Sequence, residues 1–268
     1  MQNYQAISRE RHAIQRWQRS TGYAFAAMEA VVPLVAAELP KAMLSLPIAF
    51  TGQGEGFVPV AVLSLIPGKG LYVAKNGGWT GDYIPSAFRS YPFRLLKSAD
   101  GQQVLCIDEE SGLITNSPEG ERFFNEDGQP AQAVLDILNF LTQIEQSRVA
   151  TATASTALQK HALIRPWPIT LKTETGEQQI AGLFQIDETA LNQLSAEAML
   201  EVRDAGALPM AYCQLLSMQH LPFLGQLIDA HTRAEQAQAQ SLEHLAPNGE
   251  LNLEFFNKAG TISFAGLV

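Results

Sequence analysis

A stripe of apolar residues at helical spacing runs through the middle of the chain. Its members lie three or four positions apart, which is the spacing of residues on one face of an α-helix. Pro130 stands just before the stripe and suits the first turn of a helix, where no backbone N–H is needed. We therefore predict one long helix over residues 130–161. The stripe consists of Val134, Ile137, Leu138, Leu141 and Ile144.

Strand and turn signals dominate the part of the chain before this helix. The apolar, β-branched run at residues 57–67 is followed by the turn residues PGKG and the apolar LYVAK, which predicts a hairpin across residues 67–70. A second hairpin is predicted where FRLLKS, at residues 93–98, is followed by SADGQQ and VLCID. Residues 109–129 carry repeated Gly, Asn, Asp and Pro and are predicted to form a loop.

The part after the long helix mixes strands with helices. Residues 165–187 predict a strand, a turn and a second strand, with ETGE as the turn. Asp187 and Ser195 are predicted N-caps of two helices, because both residue types accept hydrogen bonds from the first free amides of a helix. Residues 208–246 are predicted to be mostly helical, with an interruption near Pro222.

These elements predict an α+β fold with a β-rich first half, a long central helix and a mixed, helix-rich second half. The alternating residues around NKAG, near the end of the sequence, predict a closing hairpin. We expect a β-rich lobe at residues 1–129, a connecting helix at residues 130–162 and an α+β lobe at residues 163–268. One compact domain overall is the alternative.

Composition matters mainly through the classes of function that it disfavours. The chain has 268 residues, of which 46% are hydrophobic and 17% are charged, so it can bury a substantial core. Its net charge of −9 disfavours binding to nucleic acid, which requires clustered Lys and Arg. The same charge disfavours adhesion to an anionic membrane surface. We expect no nucleic-acid partner.

Two further patterns bear on location. The apolar segment at residues 24–37 is interrupted by Glu29 and Pro33 and is shorter than the roughly 20 residues that span a bilayer. We therefore expect no membrane span. Cys106 and Cys213 lie far apart in apolar surroundings and form no CxxC pair, which favours a reducing compartment. These patterns together predict a cytoplasmic protein.

The motifs of common catalytic and cofactor sites are not found in the sequence. GQGEGF at residues 52–57 lacks the spacing of a phosphate loop, and the five histidines show no metal-ligand spacing. We expect neither a metal nor a cofactor. Asp108, Glu109 and Glu110 form an acidic cluster at a predicted strand end, where carboxylates can act as acid and base. The alternative is a solvated turn.

Residues 77–95 crowd aromatic side chains around two arginines. Arginine beside aromatic rings can clamp an anion or form the hot spot of a protein interface. The structural alternative is that Pro85 starts a helical turn, Phe88 and Phe93 enter the core, and the arginines bond to free backbone carbonyls. The candidate binding residues are Trp79, Asp82, Tyr83, Arg89, Tyr91 and Arg94.

Several stretches together resemble the bacterial SapC family. The most specific is YIPSAFRSYPF at residues 83–93, which has the pattern YIPxxxRxYPF. Others are VVPLVAAELPKAMLSLPIAF, VLCIDEESGLI and GLFQIDETALNQL. The resemblance covers roughly residues 4–221, implies an accessory role in envelope or surface-protein biology, and supplies no catalytic residues. The motif positions that can be mapped are Tyr83, Arg89, Tyr91 and Arg94.

Three hypotheses for the function follow. The leading one is a cytoplasmic, non-enzymatic accessory protein that binds a protein partner or a small anionic ligand through residues 79–94. The second is an enzyme with a dispersed site in which Asp108 and a histidine act as acid and base. The third is a homo-oligomeric structural protein, suggested by the apolar surplus and the long central helix.

Overall fold

The computed structural model of the chain describes residues 3–173 and 176–243. Helices and strands both contribute substantially, and the predicted α+β class is confirmed. The strands of this part of the chain are β1 Tyr4–Ala6, β2 Arg16–Trp17, β3 Val31–Pro33, β4 Ile48–Gln53, β5 Gly56–Val62, β6 Phe93–Lys97, β7 Gln103–Asp108, β8 Ile114–Thr115, β9 Glu121–Arg122, β10 Ile164–Pro166, β11 Ile169–Thr173, β12 Gly176–Ile180 and β13 Phe184–Ile186. The α-helices are α1 Arg9–His12, α2 Leu39–Ala42, α3 Ser86–Arg89, α4 Gln132–Lys160, α5 Glu188–Asn192, α6 Ala196–Asp204, α7 Ala207–Ser217 and α8 Leu221–Glu243.

The strands pair antiparallel in four sheets within the described residues. The largest sheet has five strands in the order β10-β13-β4-β5-β3, and a second sheet has three strands in the order β1-β7-β6. Two smaller sheets have the orders β8-β2-β9 and β11-β12. Strands β3 and β6 therefore each lie at the edge of a sheet, with one side unpaired among the described strands.

The hairpin predicted across residues 67–70 is wrong. Strand β5 instead pairs with β4, which precedes it, and with β3 on its other side. The link between β4 and β5 is tight, and Gly54 in it adopts the left-handed conformation (φ 59°) that glycine allows without strain. After the turn, Leu71 donates one backbone bond to Leu63, and Val73 bridges to Trp79. The sequence pattern predicted β5 as a strand but did not indicate which strands pair with it.

Most other local predictions are confirmed. FRLLKS and VLCID form the hairpin of β6 and β7. Asp187 caps α5 by accepting a hydrogen bond from the amide of Ala190, and Ser195 caps α6 in the same way through Ala198. The helical region breaks at a short 3-10 turn just before Pro222. The closing hairpin predicted around NKAG lies outside the described residues.

The long central helix is confirmed as α4. It follows Ala131, whose extended backbone occupies the N-cap position, and it ends at Lys160. Its first half buries large residues such as Val134, whereas its second half buries mainly small ones, such as Ala154 and Ser155, together with Leu158. The helix contacts β5 and β6 from the first half of the sequence and α6 and α7 from the second. Small residues let α7 approach closely, so the alanine-rich half is held by packing.

An apolar core beneath the first half of α4 joins the β6 and β7 sheet to the sheet of β2. Trp17 packs edge-on against Phe93, with 4.6 Å between their ring centroids, and Phe93 in turn packs against Phe123. Burial of such rings supplies most of the stabilisation in a cluster of this kind. The buried members are Trp17, Phe93, Ile107, Phe123, Val134 and Leu141.

The chain divides into two compact units, one ending at Leu221 and the other beginning at Pro222. The described part of the second unit is the remainder of α8. The lobes predicted at residues 1–129 and 163–268 stay a prediction. Among the described residues, no helix combines the length and apolar character needed to cross a membrane.

A buried polar network ties α7 to the five-stranded sheet. The fully buried side chain of Gln214 accepts a hydrogen bond from the Ile186 amide (2.9 Å) and donates one to the Ile48 carbonyl (3.2 Å). The buried hydroxyl of Ser217 accepts a hydrogen bond from the Ile48 amide at 2.9 Å. These two side chains therefore satisfy backbone groups of β4 and β13 that would otherwise be buried without partners.

Replacement of Gln214 by Leu is expected to destabilise the protein. It would leave the Ile186 amide and the Ile48 carbonyl unpaired, and each such buried group costs ~1–3 kcal/mol. We expect the free energy of unfolding, measured by urea denaturation, to fall by ~2–4 kcal/mol. The matched control is Gln178→Leu at an exposed position of β12, with an expected change below ~0.5 kcal/mol. Equal losses in the two variants would show that the network is not stabilising.

Candidate functional site

The carboxylate of Glu38 is buried at the start of α2 and accepts four hydrogen bonds. Oε1 accepts from the Val35 amide at 2.9 Å and from the Ser86 hydroxyl at 2.8 Å. Oε2 accepts from the Tyr83 hydroxyl and from the Ser86 amide, both at 2.8 Å. Only 4% of Glu38 is exposed, so these donors replace the water that a carboxylate otherwise needs. Glu38 thereby fixes the first half of the YIPSAFRSYPF segment.

Tyr83 serves this carboxylate as a hydrogen-bond donor. Burial, and then the adjacent charge of Glu38, raise the pKa of Tyr83 well above its ordinary value. The phenol therefore keeps its proton and donates to Glu38. As the sequence predicted, Pro85 precedes a single helical turn, α3, whose first residue is bound to Glu38 through both its amide and its hydroxyl.

The segment that carries Glu38 is held in turn by α4. The Ala36 amide donates to the hydroxyl of Thr151 at 2.7 Å, and the Ala37 amide donates to the hydroxyl of Ser147 at 3.0 Å. Both amides belong to the 3-10 turn Ala36–Glu38, which leads into α2. Side chains of α4 therefore satisfy the amides that a helix start usually leaves free.

Trp79 belongs to a cluster of aromatic side chains and supports the loop. Its indole N–H donates to the Tyr83 carbonyl at 3.0 Å, and its ring stacks on the buried ring of Tyr72 with 5.5 Å between centroids. Phe88 packs edge-on against Trp79. Gly81 passes so close to Tyr72 that a Cβ would lie 2.9 Å from the ring, so only glycine fits there. The cluster explains why aromatic residues crowd this stretch.

The two arginines of the segment are both exposed, and each lies over aromatic rings. The guanidinium of Arg89 lies 5.1 Å from the ring centroid of Phe140 and donates to the Tyr83 hydroxyl at 3.4 Å. That of Arg94 lies 4.9 Å from the ring centroid of Tyr4. Within the described residues, neither arginine bonds to a backbone carbonyl. The structural alternative was therefore right about Phe88 and Phe93, which are buried, and wrong about the arginines.

Asp108, the proposed acid or base, is buried as a backbone cap. Only 3% of it is exposed, and its Oδ1 accepts from the Asn3 amide at 2.9 Å and from the Glu110 amide at 3.2 Å. It does not lie on a solvated turn. The buried His12 lies beside Glu109, with 3.5 Å between Nε2 and Oε1. In the described part of the chain, His12 thus lies beside Glu109, and no histidine bonds to Asp108.

In the described part of the chain, neither cysteine is activated as a nucleophile, and the potential metal ligands form no cluster. Cys106 and Cys213 are free and buried, and burial raises the pKa of both thiols. Both therefore carry their protons near neutral pH. Within the described residues, no three His, Cys, Asp or Glu side chains come together in a group that could hold a metal ion.

Two adjacent pockets flank Arg94. The larger, which we call the Arg94 groove, has a volume of about 340 Å³ and lies between α3, β6 and α4. The smaller has a volume of about 110 Å³ and reaches Tyr4, Phe25 and Tyr91. Arg94, Pro33 and Ala87 line both pockets, which places Arg94 between them. The side chains that line the groove include Arg94, Leu95, Leu141, Ile144 and Arg148.

The pockets separate the candidate binding residues into two groups. Arg94 and Tyr91 line a pocket, whereas the other four line neither. These four are Trp79, Asp82, Tyr83 and Arg89.

Sequence reasoning missed Glu38 and Arg148. Glu38 precedes the LPK that opens α2, which marks only a helix start. Arg148 lies one turn beyond Ile144 on α4, so extending the helical stripe by four residues would have placed it beside the groove. It is exposed, and its Nε donates to Glu145 Oε2 at 2.9 Å.

The SapC family model matches the chain over residues 7–224, a span that contains the whole YIPSAFRSYPF segment. The chain belongs to the SapC family. Comparison with curated proteins and with solved structures gave no match. The match to SapC also contains Glu38, Arg94 and Arg148, so the carboxylate and both groove arginines lie in the family region.

Replacement of Glu38 by Gln is expected to loosen the SapC segment. Each oxygen of Glu38 faces one backbone amide and one hydroxyl, and a hydroxyl can turn to accept from the new NH₂ group. The bond from one backbone amide is therefore lost, and the remaining bonds are no longer made to a charged group. We expect the free energy of unfolding in urea to fall by ~2–4 kcal/mol, because hydrogen bonds to charged groups contribute ~1.5–3 kcal/mol each.

The control for this variant is Glu119→Gln, which also removes one negative charge but at an exposed position. Its unfolding free energy is expected to change by less than ~0.5 kcal/mol. If Glu38→Gln were as stable as this control, the four hydrogen bonds would not hold the segment in place.

Proposed function

We propose that this SapC chain is a non-enzymatic binding protein whose ligand carries a carboxylate that binds Arg94. The observation that carries the proposal is the position of Arg94 in both pockets without an ion-pair partner among the described residues. Burial raises the pKa of Tyr4, so the phenol beneath the guanidinium stays neutral. Glu29 lines the smaller pocket and Glu145 lines the groove, but neither forms an ion pair with Arg94, so its guanidinium is available to an anion.

The walls of the Arg94 groove suit the apolar part of the same ligand. Leu95, Leu141 and Ile144 supply aliphatic surface, and Arg148 lies at the same groove with its guanidinium shared with Glu145. A groove with apolar walls and few polar groups binds by burying apolar surface and uses the polar groups to orient the ligand. Arg94 supplies that orientation in the proposal.

The proposal assigns different roles to the residues singled out from the sequence. Arg94 and Tyr91 contact the ligand. Trp79 and Tyr83 position the loop through their hydrogen bonds, as described above. An accessory role in envelope or surface-protein biology, implied by the SapC resemblance, is compatible with binding alone. The cytoplasmic location stays a prediction, supported by the two free, buried cysteines.

Octanoate, a carboxylate with an aliphatic tail, provides a direct test. We expect saturable shifts of the Leu141 and Ile144 methyl signals in NMR titrations of the whole chain. Arg94→Ala is expected to weaken binding about tenfold or more, because a charge-assisted hydrogen bond contributes ~1.5–3 kcal/mol. The matched control is Arg89→Ala, an exposed arginine of the same segment that lies in neither pocket, and we expect affinity within about twofold of wild type. Equal weakening in both variants, or no saturable shift in the wild type, would contradict the proposal.

A further inference from the structure

The Arg94 groove runs along the free edge of a strand. Arg94, Leu95 and Leu96 are consecutive in β6, and all three line the groove. Successive side chains of a strand point to opposite faces of the sheet, so a pocket over one face would meet only alternate residues. A pocket bounded by three consecutive residues therefore lies along the edge. Strand β6 is the edge of its sheet on this side.

The pairing register shows which backbone groups point into the groove. Asp108 donates its amide to Pro92 at 2.9 Å, and Ser98 donates its amide to Gln102 at 2.9 Å. Antiparallel strands alternate between residues that bond to the neighbouring strand and residues that point away from it. Positions 94 and 96 therefore bond to β7, whereas Leu95 points its N–H and C=O outward.

The outward groups of β6 are open to a new strand. Within residues 3–173 and 176–243, no backbone group bonds to the outer side of Leu95. The same alternation turns the backbone of Lys97 outward, two residues further along the edge. The amide of Phe93 is already used, because it donates to the Ser90 carbonyl at 2.7 Å. The open stretch thus begins at the Phe93 carbonyl and continues to Lys97.

The second sheet edge at these pockets, β3, is interrupted by a proline. The Leu34 amide donates to Pro59, so the neighbouring Pro33 points away from β5 toward the pockets. Proline has no N–H to offer there. Further along, the Val35 amide is used by Glu38. The outward donors of β3 therefore stop at Val31, whereas β6 offers outward N–H and C=O groups at both Leu95 and Lys97.

We propose that the ligand is an extended segment of a partner protein, which adds to β6 as a further strand and places an Asp or Glu side chain on Arg94. This inference rests on the proposed function and names the class of its ligand. Main-chain hydrogen bonds to Leu95 hold the segment, and alternate side chains contact Leu141 and Ile144. Because pockets extend on both sides of Arg94, the bound segment continues past this arginine. The carboxylate that binds Arg94 therefore belongs to a side chain of the segment and not to its C-terminus.

Charge complementarity supports a partner of this chemistry. Arg94 has no acidic partner in the described part of the chain, and Arg148 shares its charge with Glu145 alone. An acidic residue in an extended segment would neutralise Arg94 while its backbone pairs with β6. A basic side chain at the position facing Arg94 would be repelled by it, and the two carboxylates that line the pockets, Glu29 and Glu145, form no ion pair with Arg94.

The test begins with linear twelve-residue peptides selected by phage display against the whole chain. The best acidic peptide is then synthesised with single N-methyl groups at successive positions. We expect N-methylation to lower the affinity about tenfold at every second residue and by less than about twofold between them, because only alternate amides of a strand face β6. Exchange of the acidic residue for Asn or Gln is expected to weaken binding to the wild type and to have no effect on Arg94→Ala.

A pair of variants at Lys97 tests the same pairing from the protein side. Lys97→Pro removes the outward N–H, whereas Lys97→Ala removes only the exposed side chain. We expect the first to weaken peptide binding about fivefold or more and the second by less than about twofold. Circular dichroism and thermal unfolding show whether both variants fold.

The possible outcomes separate this inference from the proposed function. Peptides that depend on Arg94 but show no two-residue N-methyl pattern would overturn the added strand and leave the proposed function standing. Selection of no peptide, or of peptides indifferent to Arg94→Ala, would overturn the inference, and the octanoate titration would then decide the proposed function alone. If a C-terminal amide abolished binding, the carboxylate on Arg94 would be a chain end and not a side chain. A dimer in light scattering that Lys97→Pro dissociates would make a second copy the occupant.

Discussion

The buried carboxylate of Glu38 is the constraint on which the rest of the site depends. A buried charge is costly unless hydrogen bonds replace its lost hydration, and Glu38 obtains four of them, with no ion pair to a cation in the described part of the chain. Three come from the SapC segment and one from its own turn. The turn is held by two hydroxyls of α4, so the helix, the turn and the segment form one hydrogen-bonded assembly. The position of Arg94 follows from this assembly, because β6 begins where the segment ends.

Parts of the structure that depend on local sequence could be predicted. The stripe from Val134 to Ile144 specified α4, and the caps at Asp187 and Ser195 specified where two helices begin, because spacing and capping act over a few residues. Strand β5 was predicted as a strand but given the wrong partner. Its apolar face fits either neighbour in sequence, and the choice was made by packing against the rest of the sheet.

The site depended on contacts between distant parts of the sequence, and these could not be predicted. The aromatic and arginine stretch was recognised, but its members have different roles, with Trp79 and Tyr83 supporting the loop and Arg94 facing two pockets. Arg148 joins Arg94 only because α4 packs across β6. Nothing near Glu38 in the sequence indicated that Tyr83 and Ser86 would donate to it, since the three residues meet only after folding.

Pro33 affects how copies of the chain can associate with one another at high concentration. An exposed strand edge with free donors and acceptors is a template on which identical chains can stack, and a proline facing outward interrupts such stacking. Strand β3 carries this protection, whereas β6 carries none at Leu95. Of these two edges, the β6 edge is therefore the one on which a second copy can more readily add a strand. Two copies that paired through β6 alone would cover each other's edge, so this mode of association would end at a pair.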